Sequence, residues 1–154
     1  MSKIGFITYN TLPSFQNGWV KSTDGLRSAL VVQDTKGRGS LYEERRLRTT
    51  EEVRAEIAKS WETLDKSLPE LDRVVIYIGA SGSEDAIERA TKVPAKKLTF
   101  IGCSCGLEKK EALIQSAGLR DANRFLCECG GHITMTAMIQ AFLEGDPALG
   151  VCGL

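Results

Sequence analysis

Two short cysteine pairs carry the most evident chemistry in this sequence. Cys103-Ser104-Cys105 and Cys127-Glu128-Cys129 are separated by 21 residues, and His132 follows three positions after the second pair. Thiolate and imidazole are ligands of zinc, and four thiolates also hold iron–sulfur clusters. Gly102 and Gly106 bracket the first pair, while Gly130 and Gly131 follow the second. Residues without a Cβ let a chain turn sharply and approach a bound group closely, so both thiols of a pair can face one centre. The expectation is a metal site of Cys103, Cys105, Cys127 and Cys129, holding zinc or an iron–sulfur cluster, with His132 as reserve ligand. Spacing leaves the metal open, because structural zinc sites more often place about two to four residues between paired cysteines.

The same thiols have a second use. A pair that cycles between dithiol and disulfide, or carries a persulfide, is a thiol-exchange centre, and a Cys-x-Cys disulfide would close a tight, readily reduced ring. The plainest use is as small buried hydrophobes, a frequent role of cysteine. Four cysteines in matched, glycine-flanked places beyond apolar runs speak against it. Cys152, near the end of the sequence, reads as a tail thiol.

A third loop has weaker chemistry. Ser81-Gly82-Ser83 precedes a helical pattern and offers N–H groups and hydroxyls to a small anionic ligand or a cofactor phosphate. It completes no phosphate-loop or dinucleotide fingerprint, and Ser81 with Glu84 fits a capping box, which is the preferred reading. No catalytic residue is assigned. The one histidine is accompanied by no Gly-x-Ser-x-Gly elbow, which disfavours a serine hydrolase.

The elements that must position these residues repeat a form: apolar strand, glycine-rich loop, amphipathic helix. Val74–Ile78, Leu98–Ile101 and Arg124–Leu126 lead into the loops at Ala80, Cys103 and Cys127, offset by 23 and 24 residues. Such spacing suits strand–helix units of a parallel sheet, whose carboxyl edge would gather all three loops. Upstream, Thr49 and Glu52 have capping-box spacing, and Val53, Ile57, Trp61, Leu64 and Leu68 form one helical stripe ended by Pro69. Ile4–Tyr9 and Ala29–Gln33 read as strands. Asn10, Pro13, Asn17 and Gly18 read as loop, and Leu41–Arg48 as a charged hairpin arm. Asp34, Lys36 and Arg38 read as a solvated hairpin tip. The expected fold is α/β: a mainly parallel sheet with helices on both faces, Rossmann-like or flavodoxin-like and three-layered, plus an N-terminal hairpin element.

Composition sets the outer limits. A chain of 154 residues with 42% hydrophobic and 26% charged residues suits a single α/β domain over residues 1–154. Lys plus Arg and Asp plus Glu both number 20, so no global field recruits nucleic acid or a membrane surface. Aromatics, 6% of the chain, are not interleaved with basic residues as a single-strand platform would need. No apolar stretch approaches the roughly 20 residues of a membrane span. The opening residues lack a secretory pattern, and an odd count of five cysteines agrees with a reducing compartment, so the expectation is a cytoplasmic protein. A protein partner is compatible with the sequence; its oligomeric state is not legible.

Overall fold

β-Branched and aliphatic residues in runs of four to seven build the framework. The computed structural model describes residues 2–35, 49–79, 83–127 and 131–147, and of Ser83, Ser104, Cys105, Gly131 and His132 the backbone alone. Its strands are β1 (Ser2–Thr8), β2 (Gly18–Lys21), β3 (Arg27–Gln33), β4 (Arg73–Tyr77), β5 (Leu98–Gly102) and β6 (Asn123–Leu126). Its α-helices are α1 (Thr50–Ser67), α2 (Ser83–Ala90), α3 (Ser104–Ser116) and α4 (Gly131–Glu144). One six-stranded sheet has the order β2-β3-β1-β4-β5-β6. Every pairing is parallel except β2 with β3.

Continuous apolar strands are the mark of a sheet covered on both sides. Ile7, Leu30, Val32, Val74, Ile76, Leu98 and Phe100 point into one core cluster, together with Val53, Ile57, Trp61 and Leu64 of α1, Ala86 and Ile87 of α2, and Leu107 and Ile114 of α3. Their alternating neighbours Ile4, Phe6, Ala29, Val31, Val75 and Ile101 enter a second cluster with Leu12 and with Met135, Met138, Ile139 and Phe142 of α4. Parallel crossovers have one hand, so connections that advance oppositely along a sheet must cover opposite faces. The chain obeys this: the three crossovers running from β3 to β6 place α1, α2 and α3 with the first cluster. The one reversed connection, β1 to β3, sends Leu12 into the second.

The helix boundaries have local causes. Thr49 caps α1, its Oγ1 accepting from the Glu52 backbone N–H at 3.1 Å. Leu68–Glu70 then tightens into a 3₁₀ turn at Pro69. α3 stops where Gly118 adopts φ 79°, the left-handed conformation that spares a side chain, and Leu119 N–H returns to the Ile114 carbonyl at 3.1 Å.

Two expectations change. The antiparallel partner in the first half of the chain is β2, Gly18–Lys21, in a stretch whose Asn and Gly suggested loop alone. Its residues alternate half-buried and exposed, with Val20 packed against the second core cluster, and the β3 ladder holds it in the sheet. The hairpin arm at Leu41–Arg48 lies outside the described residues. The loop expected at Gly102–Gly106 is also shorter than it reads: Ser104 already opens α3, because the Cys103 carbonyl accepts from the N–H groups of Gly106 at 3.0 Å and Leu107 at 2.8 Å.

Candidate functional site

Cys103 and Cys127 follow directly on neighbouring parallel strands. The register of β5 and β6 pairs Ile101 with Phe125 and Gly102 with Leu126, so the two cysteines stand at the next step. The ladder reaches them, since the Cys127 N–H donates to the Gly102 carbonyl at 2.9 Å. Both side chains are half-buried. Cys103 is the N-cap of α3 in extended conformation, φ −78° and ψ 161°. Its position leaves the thiol beside the first helical turn, as the 3.9 Å between its Sγ and a Cβ built on Gly106 indicates.

Gly102 makes this turn possible. A Cβ there would lie 2.7 Å from the Ile78 carbonyl oxygen and 3.4 Å from Leu107 Cβ. Leu107 folds α3 back across the ends of β4 and β5, and only a residue without a side chain leaves room for the Ile78 carbonyl beneath it. On the other side, α3 is bound to β6. Arg124 grips Glu111 with two hydrogen bonds, Nε to Oε2 at 3.1 Å and Nη2 to Oε1 at 2.8 Å. This fork holds the Glu111 carboxyl below the ordinary carboxylate range, against the opposing effect of burial. Strand ladder, close glycine turn and ionic clasp thus all bear on the place where the two cysteines meet.

The other expected ligands are less fully described. Cys105 is the second residue of α3 and His132 the second residue of α4, both at helix N-termini, and Cys129 and Cys152 lie outside the described residues. Among the described residues no group of three or more His, Cys, Asp and Glu side chains converges in the manner of a metal site. In the serine loop, Ser81 and Gly82 lie outside the described residues, and Ser83 opens α2. The capping box of Ser81 with Glu84 thus falls partly outside the described residues, and Glu84 accepts from Lys110 Nζ at 2.7 Å across to α3.

A second polar cluster stands at the same sheet edge. Asp34, just beyond β3, accepts from Trp61 Nε1 at 2.8 Å, so it anchors α1 to the sheet where a solvated tip was expected. The Arg89 guanidinium lies 3.8 Å from the centre of the Trp61 ring. Tyr9 packs against this core with its hydroxyl buried and without a hydrogen-bond partner among the described residues. Burial raises the Tyr9 pKa well above its ordinary value, aided by the Asp34 and Asp85 carboxylates and opposed by Arg89. Asp85, Glu88, Arg89 and Lys92 line an adjoining cavity of about 300 Å³ with charges of both signs. Apolar periodicity pointed to Trp61 as core; its polar partners come from elements far apart in the chain, and no local signal names them.

A buried hydroxyl without a partner among the described residues favours a simple test. Tyr9→Phe is expected to leave stability unchanged or to raise it by up to about 1 kcal/mol, since the lost oxygen satisfies no described group. The pH dependence follows from the raised pKa. The folded state keeps Tyr9 neutral, so its contribution is intact below the unfolded pKa of about 10 and is lost as pH rises toward the folded value. Chemical unfolding at neutral and alkaline pH checks both parts: wild type should weaken more than Tyr9→Phe above about pH 10.

The fold and site together define an α/β protein with a mostly parallel sheet and a cysteine pair at its carboxyl edge. No family model, curated protein or solved structure matches the chain. No described helix is long and apolar enough to cross a membrane.

Proposed function

We propose that this chain is a small metal-binding protein of a reducing, cytoplasmic compartment. Its thiolate centre, zinc or iron–sulfur, is held by Cys103, Cys105, Cys127 and Cys129, with His132 as reserve ligand. The observation that carries this reading is the register of β5 and β6, which brings one cysteine from each pair to adjacent positions at the end of the sheet. Cys105 is the second residue of α3, two positions along the chain from Cys103. Convergence at the carboxyl edge, where open α/β sheets receive ligands, adds support. In this setting the metal would tie two strand–helix units together, and its thiolate shell would set whether it acts as a staple or exchanges electrons.

The sheet order favours the flavodoxin-like form of the fold over the Rossmann-like one. Counting parallel strands alone, the order along the sheet is second, first, third, fourth, fifth, the flavodoxin pattern. The departure is the first crossover, which carries β2 where that pattern has a helix. Ser81, Gly82 and Ser83 follow β4 in the sequence, and β4 borders the switch beside β1, where open α/β sheets receive small anionic ligands.

Metal analysis of protein purified without oxygen, with its absorption spectrum, tests the central proposal. Stoichiometric zinc without colour, or iron with sulfide-to-iron charge-transfer bands, is the expected result. Protein that is folded and reduced yet carries neither overturns it. Thiol–disulfide or persulfide exchange is the second reading, favoured by the same adjacency of Cys103 and Cys127.

A further inference from the structure

We infer that Cys103 and Cys127 form a redox switch within this centre: oxidation joins them in a single inter-strand disulfide and expels the metal. The inference rests on the proposed ligand set, but the bond itself follows from the strand register. Beyond the Gly102–Leu126 pair, the Cys127 N–H still bonds the Gly102 carbonyl at 2.9 Å, so the strands have not diverged. Neighbouring strands lie about 4.8 Å apart, inside the range of roughly 4.4–6.8 Å between the Cα atoms of disulfide-bonded cysteines. Cys103 remains extended, and both thiols are half-buried, within reach of a small oxidant.

The competing bond is the one within a pair. Cys105 stands two positions into a helix of about 3.6 residues per turn, so it is carried about half a turn away from Cys103. The inter-strand partner therefore has the better placement. A disulfide of a small thiol, such as glutathione disulfide, supplies the oxidant. One cysteine thiolate attacks a sulfur of that disulfide, breaks its S–S bond and expels one glutathione thiolate, leaving a mixed disulfide on the protein. The second cysteine gives its proton to solvent, or leaves the metal as thiolate, and attacks the protein sulfur of that bond. The second glutathione thiolate departs with the remaining electron pair. Two protein thiols are oxidised and one glutathione disulfide is reduced to two thiols. The sulfurs so joined no longer carry the negative charge that bound the metal.

The test uses the full chain, purified reduced and without oxygen, its metal content measured, then treated with glutathione disulfide. Remaining thiols are blocked, disulfide-linked peptides are mapped, and released metal is followed in the same samples. The expected result is one peptide joining Cys103 to Cys127, with metal released in step with its formation. The same link should form in metal-stripped protein and in the Cys105→Ser, Cys129→Ser double variant, which removes both within-pair partners. Links confined to Cys103–Cys105 and Cys127–Cys129, or glutathione adducts that never resolve, overturn the switch. The two readings fail separately. A chain without metal that still forms the Cys103–Cys127 bond overturns the metal centre and supports the inter-strand bond, whereas a metal-loaded chain that forms only within-pair bonds supports the centre and overturns the switch.

Discussion

Replacing Trp61 by Ala is expected to destabilise the protein by about 3–5 kcal/mol, the range for truncating a large buried aromatic. The indole is only 6% exposed and belongs to the core cluster beneath α1. Its Nε1 donates to Asp34 at 2.8 Å, and one ring face is covered by the Arg89 guanidinium 3.8 Å away. Ala removes the packing, the hydrogen bond and the surface on which Arg89 rests, and thus loosens α1 from β3 and from α2 together. Trp61→Phe separates the terms: it keeps most of the apolar contact and loses the N–H, so about 1–2 kcal/mol is expected. Denaturant unfolding followed by circular dichroism measures both, and a loss below about 1 kcal/mol for Ala would show that the site collapses without cost.

Gly102→Ala is the second large effect and it bears on the cysteine site. The new methyl would sit 2.7 Å from a backbone oxygen, that of Ile78, which cannot swing aside as a side chain can. Either β4 and β5 separate at their ends or α3 lifts, at about 2–3 kcal/mol as for other overpacked positions. Each adjustment moves Cys103 relative to Cys127, because the Gly102 carbonyl is the acceptor that holds Cys127. On the proposed metal centre, the variant should therefore lose metal retention as well as stability. Unfolding measurements combined with metal content per folded chain check this, and a variant that is destabilised but fully loaded would detach the glycine from the site.

Where local chemistry and tertiary structure agree, the fold is legible from residues alone. α1 is the clear case: Thr49 caps it, Val53, Ile57, Trp61 and Leu64 form the stripe that is buried, and Pro69 shapes its exit. β4, β5 and β6 are legible for the same reason, as apolar runs before glycine-containing turns. β2 is not, since Trp19 and Val20 carry too short a pattern and their place is set by the partner strand β3. The adjacency of Cys103 and Cys127 could be read from the 24-residue offset between two strand–helix units, once parallel pairing was assumed. The start of α3 at Ser104 is not legible, because the glycines on both sides of the pair suggest loop, whereas the Cys103 carbonyl already accepts from Gly106 and Leu107. The grouping of Tyr9, Asp34 and Arg89 around Trp61 is less legible, because residues just beyond β1 and β3 are brought to α1 and α2 only by the topology of the sheet.

The position of β6 bears on timing. Among the described residues it is the last strand of the sheet, four residues long and paired on one side, whereas β5 is pinned between two neighbours. Short edge elements of this kind open and close far more often than the molecule unfolds as a whole. One cysteine of the pair thus follows a strand paired on both sides and the other follows the margin of the described sheet. On the proposed metal centre, the residence time of the metal would be coupled to the breathing of that margin, and uptake and release would proceed by transient fraying at β6 while the rest of the core stays closed.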